Sequence, residues 1–246
     1  MSQATTPLPG ASPRLVRFIA GLGLGPAALS REQYARRLGQ LFDLHDSIAI
    51  AAVHGGLPAA IPAGPAPAEV TALFLEGRGA ILRAAVLAFD PQGRARIRFP
   101  CADPQAPPTA AAVEPYLAFY RVQQSEAEHR IRRLQAQVRQ AASGRSPQLD
   151  ELCALDAVVA RSMAARARGF FSTIPGLLQI HFEQLQAACT GERADEHESA
   201  RGWRQALQQF RRDMQGMLLA EIETRLLPVT GLVEAVAAHQ TKETHD

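Results

Sequence analysis

Lysine is nearly missing from this chain of 246 residues: Lys242 stands alone, and arginine supplies 25 of the 26 basic residues. Against 24 acidic residues the net charge is only +2, which excludes a strongly polybasic protein but leaves room for a local basic patch. Aromatics are 6% of the chain, so much of the core must come from Leu, Ala, Val and Ile. No apolar run reaches the roughly 18 residues of a spanning helix. Met1 to Gly10 lacks the basic-then-apolar pattern of a secretory leader. The three cysteines, Cys101, Cys153 and Cys189, lie far from any zinc or C-x-x-C spacing. Cys153 and Cys189 sit among apolar residues and read as reduced core thiols, which fits a cytoplasmic protein.

The familiar catalytic spacings are missing too. There is no phosphate-cradling G-x-x-x-x-G-K-[ST], no H-E-x-x-H and no G-x-S-x-G. The run GLGLGP at Gly21–Pro26 contains G-x-G but follows a helical pattern and precedes a proline, so it reads as a helix stop. His181 and Glu183 are two residues apart and point in different directions on a helix. Asp156 and Asp213 lie beside apolar seams, where a carboxylate is expected to pair with arginine and specify packing. No catalytic residue, cofactor or metal ion is expected.

What the chain does have is helical periodicity. Leu15, Phe18, Ile19 and Leu22 repeat at spacings of three and four, with Gly23 and Gly25 as the stop. Ser30 heads a second pattern through Tyr34, Leu38, Leu41 and Phe42, and a third short one runs from Asp43 or Asp46 to Gly55. LPAAIPAGPAP at 57–67 cannot propagate a helix. A fourth pattern, 67–89, carries Val70, Phe74, Ile81, Val86 and Leu87, with Gly77 and Gly79 weakening its middle. In the Pro-rich stretch 90–112, GRARIRF alternates with period two and would set Arg94, Arg96 and Arg98 on one face. The next helix runs from Pro115 to about Ala142. Ser143–Gly144 breaks it and Ser146–Pro147 restarts it through Leu149, Leu152, Leu155, Val159 and Met163, with Gly169 as a candidate kink. Ile174–Pro175 starts another helix. Residues 190–199 read as a charged loop, and a last helix carries Trp203, Leu207, Phe210, Met214 and Met217 until Pro228 ends or kinks it.

The expected fold is therefore all-α, a small N-terminal helical module plus a C-terminal helical bundle built on a long antiparallel hairpin. The chain divides into a loose tail (1–12), the N-terminal module (13–56), Pro-rich linkers flanking one helix (57–112) and the bundle (113–246). Leu134, Leu155, Leu178, Phe210 and Leu218 are expected to be buried.

Basic surfaces are the candidate contact sites. Arg121, Arg132 and Arg139 are spaced to fall within about 20° of one another on a helix, with Glu128 in the same stripe. Arg201, Arg204, Arg211 and Arg212 lie roughly opposite the Trp203–Leu207–Phe210 seam. Each set is a solvated face, a docking surface for an acidic partner, or a phosphate contact. Stacking aromatics of the kind that read single-stranded RNA do not interleave with them.

Several segments are specific enough to compare with known families. They are RLVRFIAGL, YARRLGQLFDLHDSIAI, PYLAFYRVQQSEAEHRIRRLQAQVR, LDAVVARSMAARARGFFSTIP and FRRDMQGMLLAEIETRLLPVTGL. Together they resemble a bacterial family known only as domain of unknown function number 3348. The likeness spans nearly the whole chain outside 57–67, 90–112 and 190–199. Members of that family are encoded beside a proton-channel-like membrane protein with a long cytoplasmic tail and a peptidoglycan-binding protein. That set is similar to the Zorya antiphage defence systems, in the variant lacking the usual helicase. The resemblance implies a cytosolic component of such a system, whose partners are other proteins of the operon, among them the tail of the membrane motor. It carries no catalytic residue onto this sequence. The expected function is a non-enzymatic accessory protein working through protein contacts. The alternatives are a nucleic-acid-binding component using the arginine faces, and an unrecognised hydrolase or nuclease.

Overall fold

The computed structural model describes residues 14–24, 67–92, 97–100, 110–189 and 196–243. The second and third helical patterns, the 57–66 linker, Arg94, Arg96 and Cys101 lie outside the described residues. Among the described residues the fold is all-α, with no strand. Six helices form it: α1 (Arg14–Gly21), α2 (Pro67–Ala88), α3 (Glu114–Ala142), α4 (Pro147–Phe171), α5 (Ile174–Cys189) and α6 (Glu196–Glu243).

Local chemistry sets the ends of these helices. Gly23, at φ +69°, closes α1. Its N–H donates to Ala20 O (3.0 Å) and the Leu24 N–H to Ile19 O (3.2 Å), a paired reverse hydrogen bond that needs a left-handed residue between. Gly144, at φ +80°, follows the end of α3, where the Ser143 N–H donates to Arg139 O at 2.9 Å. The Ser146 hydroxyl then accepts from the Leu149 N–H at 3.2 Å and caps α4, with proline in the first turn. The Asp150 carboxylate accepts from the Gly144 N–H at 2.7 Å, which binds the turn to the new helix.

The 48-residue α6 is the spine, about 72 Å long, and packs against all five other helices. It starts at Glu196, so the charged loop expected over 190–199 is shorter than its composition implied. Nor does the helix end at Pro228. A proline inside a helix costs about 3 kcal/mol, but the next turns bury Val229, Leu232, Val233 and Val236. Burial of four such side chains is worth about 1.5–3 kcal/mol each and outweighs the break.

The few aromatics are concentrated rather than spread. Phe89, Phe99 and Phe119 pack with centroids 5.1–5.5 Å apart, Phe99 meets Tyr116, and Tyr116 continues to Phe210, Phe182 and Trp203. This run joins α2, α3, α5 and α6 through one core. Ile97 is exposed and Phe99 is buried, so among the described residues Phe99 anchors the end of the arginine-rich segment.

Leu134, Leu178, Phe210 and Leu218 are buried as the apolar pattern requires. Leu155 is not: it is half-buried and outside the core, because α4 buries side chains only near its two ends. Val86 and Leu87 also face outward. At Gly77 a Cβ would come within 2.5 Å of Leu134 Cδ1, so the glycine lets α2 approach α3.

Candidate functional site

Two clusters of polar side chains are buried along α6, eight residues apart. The first centres on Glu221, which is 1% exposed on a face otherwise formed by Met214, Met217, Leu218 and Ile222. Three groups donate to its carboxylate. The Tyr120 hydroxyl and the Gln124 amide each reach Oε2 at 3.0 Å, and the Arg225 guanidinium reaches Oε1 at 2.8–2.9 Å. The Gln124 amide also donates to the Phe171 carbonyl at 2.9 Å, which ties the end of α4 to α3. Arg225 lies 3.9 Å over the Phe171 ring and has Glu128 Oε2 at 3.6 Å on its other side. Burial pushes the Glu221 carboxyl above its ordinary value, against the pull of Arg225, Gln124 and Tyr120. Burial first, and then the Glu221 charge, hold the Tyr120 hydroxyl well above its ordinary range. Tyr120 is therefore a donor at every physiological pH.

In the second cluster, His181 of α5 places Nε2 2.8 Å from Asp213 Oδ2, and Gln209 donates to Asp213 Oδ1 at 2.8 Å. Both members of the pair are over nine-tenths buried. Asp213 thus pairs with histidine and glutamine rather than with the expected arginine. Arg212 reaches it only through Gln209, to whose Oε1 it donates at 2.7 Å. The pair has the relation of a base and its orienting carboxylate. The other ring nitrogen, Nδ1, is buried and makes no hydrogen bond among the described residues.

The arginine stripe of α3 looks different in place than as bare sequence. Arg121 is exposed with Glu114 at 2.8 Å, and Arg132 is exposed with Glu128 at 3.9 Å. Arg139 is half-buried. Its side chain is 23% exposed, its Nε donates to Gln135 O at 3.3 Å and lies 3.5 Å from Asp156, and its own carbonyl accepts from the Ser143 N–H. The expected pairing of Asp156 with arginine is therefore present, across the α3–α4 hairpin. Each member of the stripe stands against a carboxylate of its own chain.

The α6 arginines lie on one side of the helix but differ in exposure. Arg201, Arg204 and Arg212 are exposed, whereas Arg211 is half-buried with its guanidinium 5.7 Å over the Phe99 ring. Arg98 is exposed on the segment that Phe99 anchors. Of the candidate arginines that are described, Arg98, Arg121, Arg132, Arg201, Arg204 and Arg212 are exposed, and Arg139 and Arg211 are half-buried. Sequence reasoning passed over Glu221. Its signal was there: a carboxylate at an apolar-stripe position, with arginine four residues on.

No helix among the described residues is long and apolar enough to cross a membrane. The model of a family described as "Protein of unknown function (DUF3348)" matches residues 1–238. No curated protein and no solved structure matches the chain.

Proposed function

The chain belongs to the DUF3348 family, and from that premise we propose that it is a non-enzymatic, cytosolic component of an antiphage defence system with a proton-driven membrane motor, working through protein contacts. The defence setting rests on the resemblance of the segments quoted above to proteins encoded beside such a motor. The choice of protein contacts over nucleic acid rests on one observation: the α3 arginines that would grip phosphate are matched by Glu114, Glu128 and Asp156 of the same chain. A phosphate would have to compete with those carboxylates, and each replaced contact would release fewer counterions.

A hydrolase would draw on His181 and Asp213. Their position in the α5–α6 seam, with the His181 ring 6.1 Å from Phe210, supports a packing role instead.

The test is co-expression of the tagged chain with the membrane protein encoded beside it. The membrane protein's cytoplasmic tail should co-purify in fixed stoichiometry at physiological salt. A chain that purifies alone, or only with nuclease-sensitive nucleic acid, overturns the reading.

A further inference from the structure

One flank of α4 meets no part of the core formed by the described residues. The helix has 25 residues, and its buried side chains are Leu149 and Cys153 near the start and Phe171 at the end. Between them Leu155, Val158, Val159 and Met163 are half-buried, and none packs against the core of the described residues. Leu155, Val159 and Met163 fall within about 80° of one another around the helix, so they make one apolar strip.

The charges of α4 are ordered about the middle of that strip. Asp150, Glu151 and Asp156 precede it, and Arg161, Arg166 and Arg168 follow it. Asp156 and Arg161 are equally far from the Val158–Val159 step, and so are Glu151 and Arg166. This is the charge antisymmetry that a twofold axis requires, because an isologous interface pairs each position with its reflection. A second α4 laid antiparallel over the strip sets Val159 beside its own counterpart and Leu155 against Met163. Glu151 then lies near Arg166, and the symmetry repeats this contact. A parallel copy would set acid against acid and base against base.

We propose that this surface binds a second copy of the chain, forming a twofold dimer through antiparallel pairing of α4 with the axis at Val159. The proposal rests on the reading that the chain works through protein contacts, and it names one of those partners. Asp156 keeps Arg139 as its partner within the chain, and Glu151 and Arg166 also have contacts of their own. The interface charges therefore fix the orientation of the pair, and the apolar strip supplies its affinity.

The test uses the full-length chain. Light scattering on a sizing column should give twice the chain mass for the wild type. Under mild oxidation Val159→Cys should form a disulfide-linked dimer, because the axis places the residue opposite itself. Ala165→Cys, exposed on a different side of α4, should show only the wild-type background of the native cysteines. Glu151→Arg should weaken the dimer about tenfold, and adding Arg166→Glu should restore it. Val159→Glu should give a monomer with an unchanged circular dichroism spectrum. If that variant fails to fold, the cysteine pair still decides. A wild-type monomer at about 100 µM, or a dimer with no Val159→Cys cross-link, overturns the proposal. A strip covered from within the chain, for instance by the Tyr34–Leu38–Leu41–Phe42 pattern, gives both of those negative results. The co-purification test of the wider reading is unaffected by either outcome.

Discussion

Replacing Glu221 by leucine removes the acceptor that holds three buried donors. Leucine suits both the helix and the surrounding apolar face, so the cost comes from what is left behind. Tyr120 loses its partner outright. Gln124 keeps the Phe171 carbonyl. Arg225 keeps Glu128 at 3.6 Å and the face of Phe171. Breaking one side of a buried ion pair costs about 3–5 kcal/mol, and these fallback contacts put Glu221→Leu at the lower end, about 3 kcal/mol. Tyr120→Phe should cost only about 1 kcal/mol, because the carboxylate keeps Gln124 and Arg225. Removing both charges, with Glu221→Leu and Arg225→Met together, should recover most of the loss. Urea unfolding followed by far-ultraviolet circular dichroism at neutral pH measures these variants and Arg225→Met alone. In a thermal scan the single change should lower the midpoint by roughly 6–12 °C for a chain of this size. A Glu221→Leu variant as stable as the wild type would refute the reasoning. So would a double variant that loses as much as the two single changes added together.

The same carboxylate predicts a pH dependence. The Glu221 pKa is raised above the ordinary 4.5 by burial, so the folded state binds this proton more tightly than the unfolded chain does. Its contribution to stability is full below the unfolded value and is lost as pH rises through the folded one. As pH rises from the ordinary value of 4.5, the stability difference should therefore move in favour of Glu221→Gln over the wild type, and a constant difference would count against the raised value. Changing Arg94, Arg96 and Arg98 together to alanine should leave the midpoint within a few degrees, whereas Phe99→Ala should cost about 3 kcal/mol or more for its place in the aromatic run; equal melting curves for the two would contradict that anchoring. Ser146→Ala should cost about 1 kcal/mol in urea unfolding by removing the α4 cap, and a neutral result would show that the cap contributes nothing.

The helices were legible wherever their ends are set by neighbours in sequence. Gly23, Ser143–Gly144, Ser146–Pro147 and Ile174–Pro175 all mark observed boundaries, because capping needs only residues within one turn. Pro228 did not end its helix because the penalty is local and the compensation is not: Val229, Leu232, Val233 and Val236 are buried. Leu155 misled for the opposite reason. Its periodicity marks an apolar face, but periodicity does not say what covers that face. Glu221 stayed hidden because its partners Tyr120 and Gln124 lie about a hundred residues away. His181 and Asp213 are likewise brought together only by the packing of α5 on α6. The arginine stripe was legible as geometry. Its acidic partners Glu114 and Glu128 lie on the same helix at spacings of seven and four, whereas Asp156 arrives from the other arm of the hairpin.

The most direct measurement offers the protein both candidate partners at once. The purified chain is mixed with equal amounts of the membrane protein's cytoplasmic tail and a DNA duplex, then run on a sizing column at physiological salt. The account predicts that the chain elutes with the tail while the DNA elutes alone. Elution with the DNA, lost when Arg121 and Arg132 are both changed to glutamate in a chain that still folds, would contradict it.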